Sequence, residues 1–333
     1  MAPARAGAMR SSRGMKSAVA LAVLIAAGAA LSHGTDRARP GYRLPQMPAT
    51  LELGEVLGAV SSGEGDAWID DRWSERLLRM DRATGRVVAR IPVDGRLALD
   101  AGAGDVWALQ SGGGYGRALR GPLLRIDAAT ERVTARIPLP ALGFGVVLAG
   151  ESVWVWGPDR LIRVDTRLER VAKVIAVPDG YGEATGFALL GPEPVVSTAD
   201  GHLVRFDPLT GSELATVPLH LSEPVLQQVN ADRALLSVGG SVVAVDRATG
   251  RRLWARRLGY RIGTVLETGG ALWAQGAYIR DPGDRVWQLD PRTGSVLGSA
   301  LLPAFGTMAM ADVDGALWIT TGSGRVVVLP LPR

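Results

Sequence analysis

From Arg86 to Ile91 the chain reads polar, apolar, mixed, apolar, polar, apolar, and the same rhythm returns from Arg132 to Ile137. In the first, Val87, Ala89 and Ile91 alternate with Arg86, Val88 and Arg90; in the second, Val133, Ala135 and Ile137 alternate with Arg132, Thr134 and Arg136. A period of two places successive side chains on opposite faces, which predicts strands. Each of these strands follows a short phrase, "MDRATG" or "IDAATE", that reads as a tight turn. Asp accepts hydrogen bonds from amides two or three residues on, and Gly supplies the positive φ that closes such a turn.

The turn recurs at Asp81, Asp127, Asp165, Asp207, Asp246 and Asp290, at intervals of 38 to 46 residues. A second marker precedes most of them: Trp68, Trp107, Trp154, Trp273 and Trp318, several in the setting "GDVW" or "GALW". A period near forty suits four strands of five or six residues and their turns. The 43 glycines and 20 prolines exclude long helices from most of the chain. Radial repetition of a four-stranded unit is a β-propeller.

Six phrases account for six blades. Residues 307–329, "TMAMADVDGALWITTGSGRVVVL", supply three more strands, and "ATLELG" at 49–54 has the alternation of a fourth. The expected fold is therefore all-β, a seven-bladed β-propeller of four-stranded antiparallel blades. Its ring would be closed by the N-terminal strand pairing with the C-terminal blade, which removes open sheet edges.

The first 32 residues hold Arg5, Arg10, Arg13 and Lys16, no acid, and the uncharged run Ser17 to Ser32. This is the layout of an export signal. Sixteen helical residues reach about 24 Å, short of the ~30 Å hydrocarbon core, so cleavage near Ser32 is preferred to a retained single membrane anchor. Met15 is an alternative start. Residues 1–32 are thus read as signal peptide or signal anchor, 33–46 as a polar spacer and 47–333 as the propeller domain, secreted or held outside the cytoplasmic membrane.

Charge removes one class of partner. The pI near 9.8 suggests a polyanion, yet the four basic residues of the leader equal the whole excess of 37 Lys and Arg over 33 Asp and Glu. Nucleic-acid binding loses its electrostatic basis. The absence of cysteine excludes disulfides, thiolate metal sites and a cysteine nucleophile. There is no G-x-S-x-G elbow, H-E-x-x-H helix, phosphate loop or dinucleotide fingerprint, and "SGGGYG" at 111–116 lacks the following helix that would bind phosphate.

"RIDAATERVTARIP" and the "GDVW" strands resemble the bacterial propellers of the YVTN-repeat and streptogramin-lyase-like group, and "AVDRATGRRLW" at 244–254 resembles the repeat of quinoprotein (PQQ) propellers. The quinoprotein resemblance implies eight blades, calcium-binding carboxylates and often a vicinal disulfide. A seven-bladed chain without cysteine departs from that pattern, so no cofactor and no metal are expected. The lyase resemblance implies a His general base and a magnesium site in the central top pocket. His33 lies at the leader boundary and His202 at a hairpin, which leaves His220, with Glu223 nearby, as the candidate catalytic pair.

In a propeller the loops from the outermost strand of one blade to the innermost of the next share a face with the loops joining second to third strands. That top face is expected to carry Trp73, Tyr115, Arg117, Arg120, Tyr181, Glu183, Tyr260, Arg261, Tyr278, Arg280 and Phe305. Tyr, Trp and Arg on loops of a rigid scaffold anchor interfaces. Gln227, Gln228, Asn230 and Glu267 are assigned to innermost strands facing the central channel. The expected protein is a monomeric, exported, non-enzymatic module that binds a protein or small ligand through its top-face loops. The competing class is a lyase or hydrolase with its site in the top pocket.

Overall fold

The computed structural model describes residues 49–54, 56–111, 121–277, 283–302 and 306–331. Over that span every predicted alternation becomes a strand, and the strands form seven separate four-stranded antiparallel sheets. The innermost strands of blades one to seven are Leu57–Gly63, Arg96–Gly102, Gly145–Ala149, Ala184–Leu190, Val225–Val229, Arg261–Thr268 and Thr307–Asp312. Blade seven is completed by Ala49–Glu52, paired antiparallel with Arg325–Pro330 in the register Ala49 with Val328 and Glu52 with Arg325. The ring closes as the sequence predicts.

Each turn aspartate ends a third strand or directly follows one. Asp81 Oδ1 accepts hydrogen bonds from the Thr84 hydroxyl and amide, both at 2.7 Å, and Gly85 at φ 65° returns its amide to the Asp81 carbonyl. These bonds favour the ionised carboxylate, so Asp81, Asp127 and Asp246 sit below the usual carboxylate range, with the threonine hydroxyl as the leading cause in each.

The position of Gly85 is occupied by Glu131 in blade two and Glu169 in blade three, both at positive φ, which costs a residue bearing Cβ. Their carboxylates show why: Glu131 pairs with Arg79 at 3.1 Å and Glu169 with Arg125 at 2.8 Å, each joining one blade to the next. Arg79 and Arg125 also lie over Trp68 and Trp107, 5.6 and 5.9 Å from the rings. The second-strand tryptophans are thus packed between blades, as expected, and capped by arginine.

The core is a set of seven clusters, one per seam between adjacent blades. Trp68, Trp107, Trp154 and Trp273 are at most 2% exposed. Since side chains alternate across each sheet, odd positions of a second strand face the next blade and even positions the previous one.

Candidate functional site

The innermost strand of every blade is an edge, and its outward amides lack a ladder partner. Side chains of the preceding blade supply one. Asp70 Oδ2 accepts from Leu97 N at 3.2 Å, Asp100 Oδ2 from Leu148 N at 2.7 Å, and Ser197 Oγ from Leu226 N at 2.8 Å. Gln227 Oε1 accepts from Val265 N at 3.0 Å, Gln228 Oε1 from Glu267 N at 2.9 Å, and Asp284 Oδ2 from Thr307 N.

The expected channel residues therefore have a structural assignment. Gln227 and Gln228 bond blade five to blade six, and Glu267 pairs with Arg233 across the same seam at 2.6 Å. Asn230 follows its strand and caps the next turn, accepting the amides of Asp232 and Arg233. Two of these acceptors, Asp70 and Ser197, stand two residues after the strand tryptophan or its equivalent, a position that is polar also in blades five to seven as Ser237, Gln275 and Thr320.

Blades two and three break that pattern with Leu109 and Trp156. Trp156 is half-buried, meets Phe144 edge-on at 5.5 Å, and packs against a cluster containing Trp154 and Phe187. Its indole lies across the backbone of Gly145, where an added Cβ would meet Nε1 at 2.2 Å. Adjacent innermost strands pack closely at every seam except three–four, among the described residues. This aromatic wedge was not singled out from sequence, although a tryptophan at a position otherwise mostly polar was the available signal.

Asp70 is fully buried with one oxygen, Oδ1, unpartnered; its other oxygen also binds Arg72 Nε at 3.0 Å. Burial pushes its carboxyl up to about 6 against the pull of Arg72, and burial likewise raises Asp100. The Asp70–Arg72 pair lies over Gly58, whose Cβ would come within 2.1 Å of Oδ2.

The remaining candidates lie on the face shared by the loops that join blades and those that join second to third strands. Trp73 is 66% exposed, on a turn braced by the Asp71 carboxylate, which accepts from Ser74 N at 3.3 Å. Arg261 is exposed and Glu183 half-buried. Tyr181 stacks at 4.8 Å on the half-buried His202 and its hydroxyl donates to Glu213 at 3.5 Å. Tyr260 meets Trp287 edge-on at 4.9 Å. Both tyrosines thus fill seams as well as face the top. Tyr115, Arg117, Arg120, Tyr278, Arg280 and Phe305 lie outside the described residues.

His220 and Glu223 share the loop between blades four and five, both exposed and both at positive φ, 54° and 48°. Neither side chain bonds the other or a further described residue. No group of three or more His, Asp or Glu placed to hold a metal occurs among the described residues.

No curated protein sequence matches the chain. Solved structures do, at the level of fold. A computationally designed protein, Ika8, matches with TM-score 0.65 and 16% identity over 86% of this chain and 100% of its own. BamB from Moraxella catarrhalis matches with TM-score 0.57 and 17% identity, covering 83% of this chain and 86% of its own. A chain of the mitotic checkpoint complex matches with TM-score 0.69 and 10% identity over 93% and 99%. The model of the family described as outer membrane protein assembly factor BamB spans residues 74–329, and the protein belongs to that family of PQQ-like repeat propellers.

Proposed function

We propose that the protein is an exported, non-enzymatic scaffold of the cell envelope that binds a protein partner through its top-face loops. The observation that carries this reading is Trp73, a tryptophan left 66% exposed on a braced turn between the second and third strands of blade one. Burying an aromatic of that size is among the largest single contributions a contact can make. Arg261 and Glu183 share the same face, whereas Gln227, Gln228 and Glu267 bond blade five to blade six. Membership of the BamB family, whose description names a role in outer membrane protein assembly, supports a protein partner and an envelope setting.

The test is site-specific photocrosslinking in intact cells, with the reactive group at position 73 or 261, and at Leu209 on the opposite face as reference. Leu209 is 72% exposed and apolar, so it controls for adventitious contact. One partner captured at 73 and 261 and absent at 209, with capture at 261 abolished by Trp73→Ala, is the expected result. Capture at 209 alone would move the interface to the other face and overturn the assignment.

A further inference from the structure

The repeated phrase that first reveals the fold has a second property that the seams do not use. Arg86 and Arg90 in blade one, and Arg132 and Arg136 in blade two, stand on the exposed side of the outermost strands Arg86–Pro92 and Arg132–Ile137. All four are exposed, and none forms an ion pair with a described residue. Asp81 and Asp127 stand across the ladder from Arg86 and Arg132 but turn their carboxylates to Thr84 and Thr130, and Glu131 pairs with Arg79. Val88, 54% exposed, lies between the two arginines of blade one.

Arginine on an edge strand blunts edge-to-edge pairing. That need exists at all seven rims, yet the corresponding strands Glu213–Pro218, Val296–Leu301 and Ala49–Glu52 carry no arginine at all. Arg170–Ala176 has one. The doubled arginines fall on two neighbouring blades; Arg252–Arg257 of blade five carries three on the far side of the ring, but the outermost strands of both its neighbours, Glu213–Pro218 and Val296–Leu301, carry none.

The N-terminal strand Ala49–Glu52 lies on the rim of blade seven, the neighbour of blade one. Leu51 of that strand sits against the blade-one turn, where a Cβ on Gly85 would meet it at 3.0 Å.

We propose that the rim of blades one and two docks on an anionic phospholipid bilayer, with Arg86, Arg90, Arg132 and Arg136 against the headgroups and Val88 at the boundary. Guanidinium groups pair with phosphate in two-pronged fashion, and basic residues at a negative membrane surface contribute additively and in a salt-dependent way. Side-on docking leaves the top face open for a partner, so this inference does not depend on the identity of that partner.

The test uses residues 47–333, which contain all seven complete sheets, and co-sedimentation with vesicles of phosphatidylcholine with or without phosphatidylglycerol. Binding only to the anionic vesicles, weakening with added salt, is expected. Each arginine of the four changed to Gln should reduce binding about five-fold, while Arg252→Gln with Arg257→Gln changes it little. Circular dichroism melts confirm that the variants are folded. Binding to neither vesicle, or equal loss from the blade-five variant, overturns the proposal.

Discussion

The seam between blades five and six and the seam between blades three and four solve one problem in opposite ways. At five–six, Gln227 and Gln228 cap the open amides of the next innermost strand, and Arg233 pairs with Glu267. At three–four, Val147 stands where Gln228 does and Trp156 where Ser237 does, and Trp154, Trp156 and Phe187 pack together in the seam. A wedge of aromatic area is stabilised by burial, which tolerates small shifts, whereas a capped amide demands one geometry. Gln227, Gln228 and Glu267, read as channel residues from the sequence, here join one blade to the next.

The largest expected effect comes from removing the wedge. Trp154→Ala should lower stability by about 3–5 kcal/mol, read as a shift in the midpoint of chemical denaturation with unchanged slope. A cost under about 1 kcal/mol would show that seam three–four is not held by its aromatics.

Acidity separates the buried carboxylates from the turn carboxylates. Asp70 is raised to about 6 in the folded protein, so the fold binds its proton more tightly than the unfolded chain does, and stability rises as pH falls through 6. The limit is about 3 kcal/mol, and Asp100 acts with the same sign. Asp81, Asp127, Asp165, Asp207 and Asp246 are held below 3.8, so their contribution is present above that value and lost as pH falls through their folded pKa. Melting temperature should peak near pH 5, and Asp70→Asn should flatten the limb between 7 and 5. A wild-type profile flat over that limb would contradict the burial assigned to Asp70.

Gln228→Leu leaves the Glu267 amide uncapped at seam five–six and should cost about 1–3 kcal/mol in denaturant. An unchanged midpoint would mean that water replaces the side chain without loss. Smallest of all, Trp73→Ala should stay within about 0.5 kcal/mol of wild type while partner crosslinking from position 261 disappears. A large loss of stability would recast Trp73 as a packing residue.

Much of the architecture was legible because it rests on local chemistry. The period of two in Arg86–Pro92, the amide-accepting carboxylate of Asp81 and the positive φ of Gly85 act over a few residues, and repetition multiplies the signal. The site was less legible. Tyr181 and Tyr260 read as free aromatics in loops, but the structure seats them against His202 and Trp287, which lie 21 and 27 residues away in the chain. Gln227 and Gln228 read as channel-facing, but the amides they satisfy belong to the next blade.

By itself, then, the sequence determined the number of blades, the turns that end each third strand and the closure by residues 49–54, because each follows from alternation and turn chemistry within one repeat. Tertiary structure alone decided which polar groups are consumed between blades, which seam is packed with aromatics, and that Trp73 and the paired arginines of blades one and two remain exposed. Those outcomes depend on what the neighbouring blade presents, and a seam is made of residues some forty positions apart that no local pattern brings together.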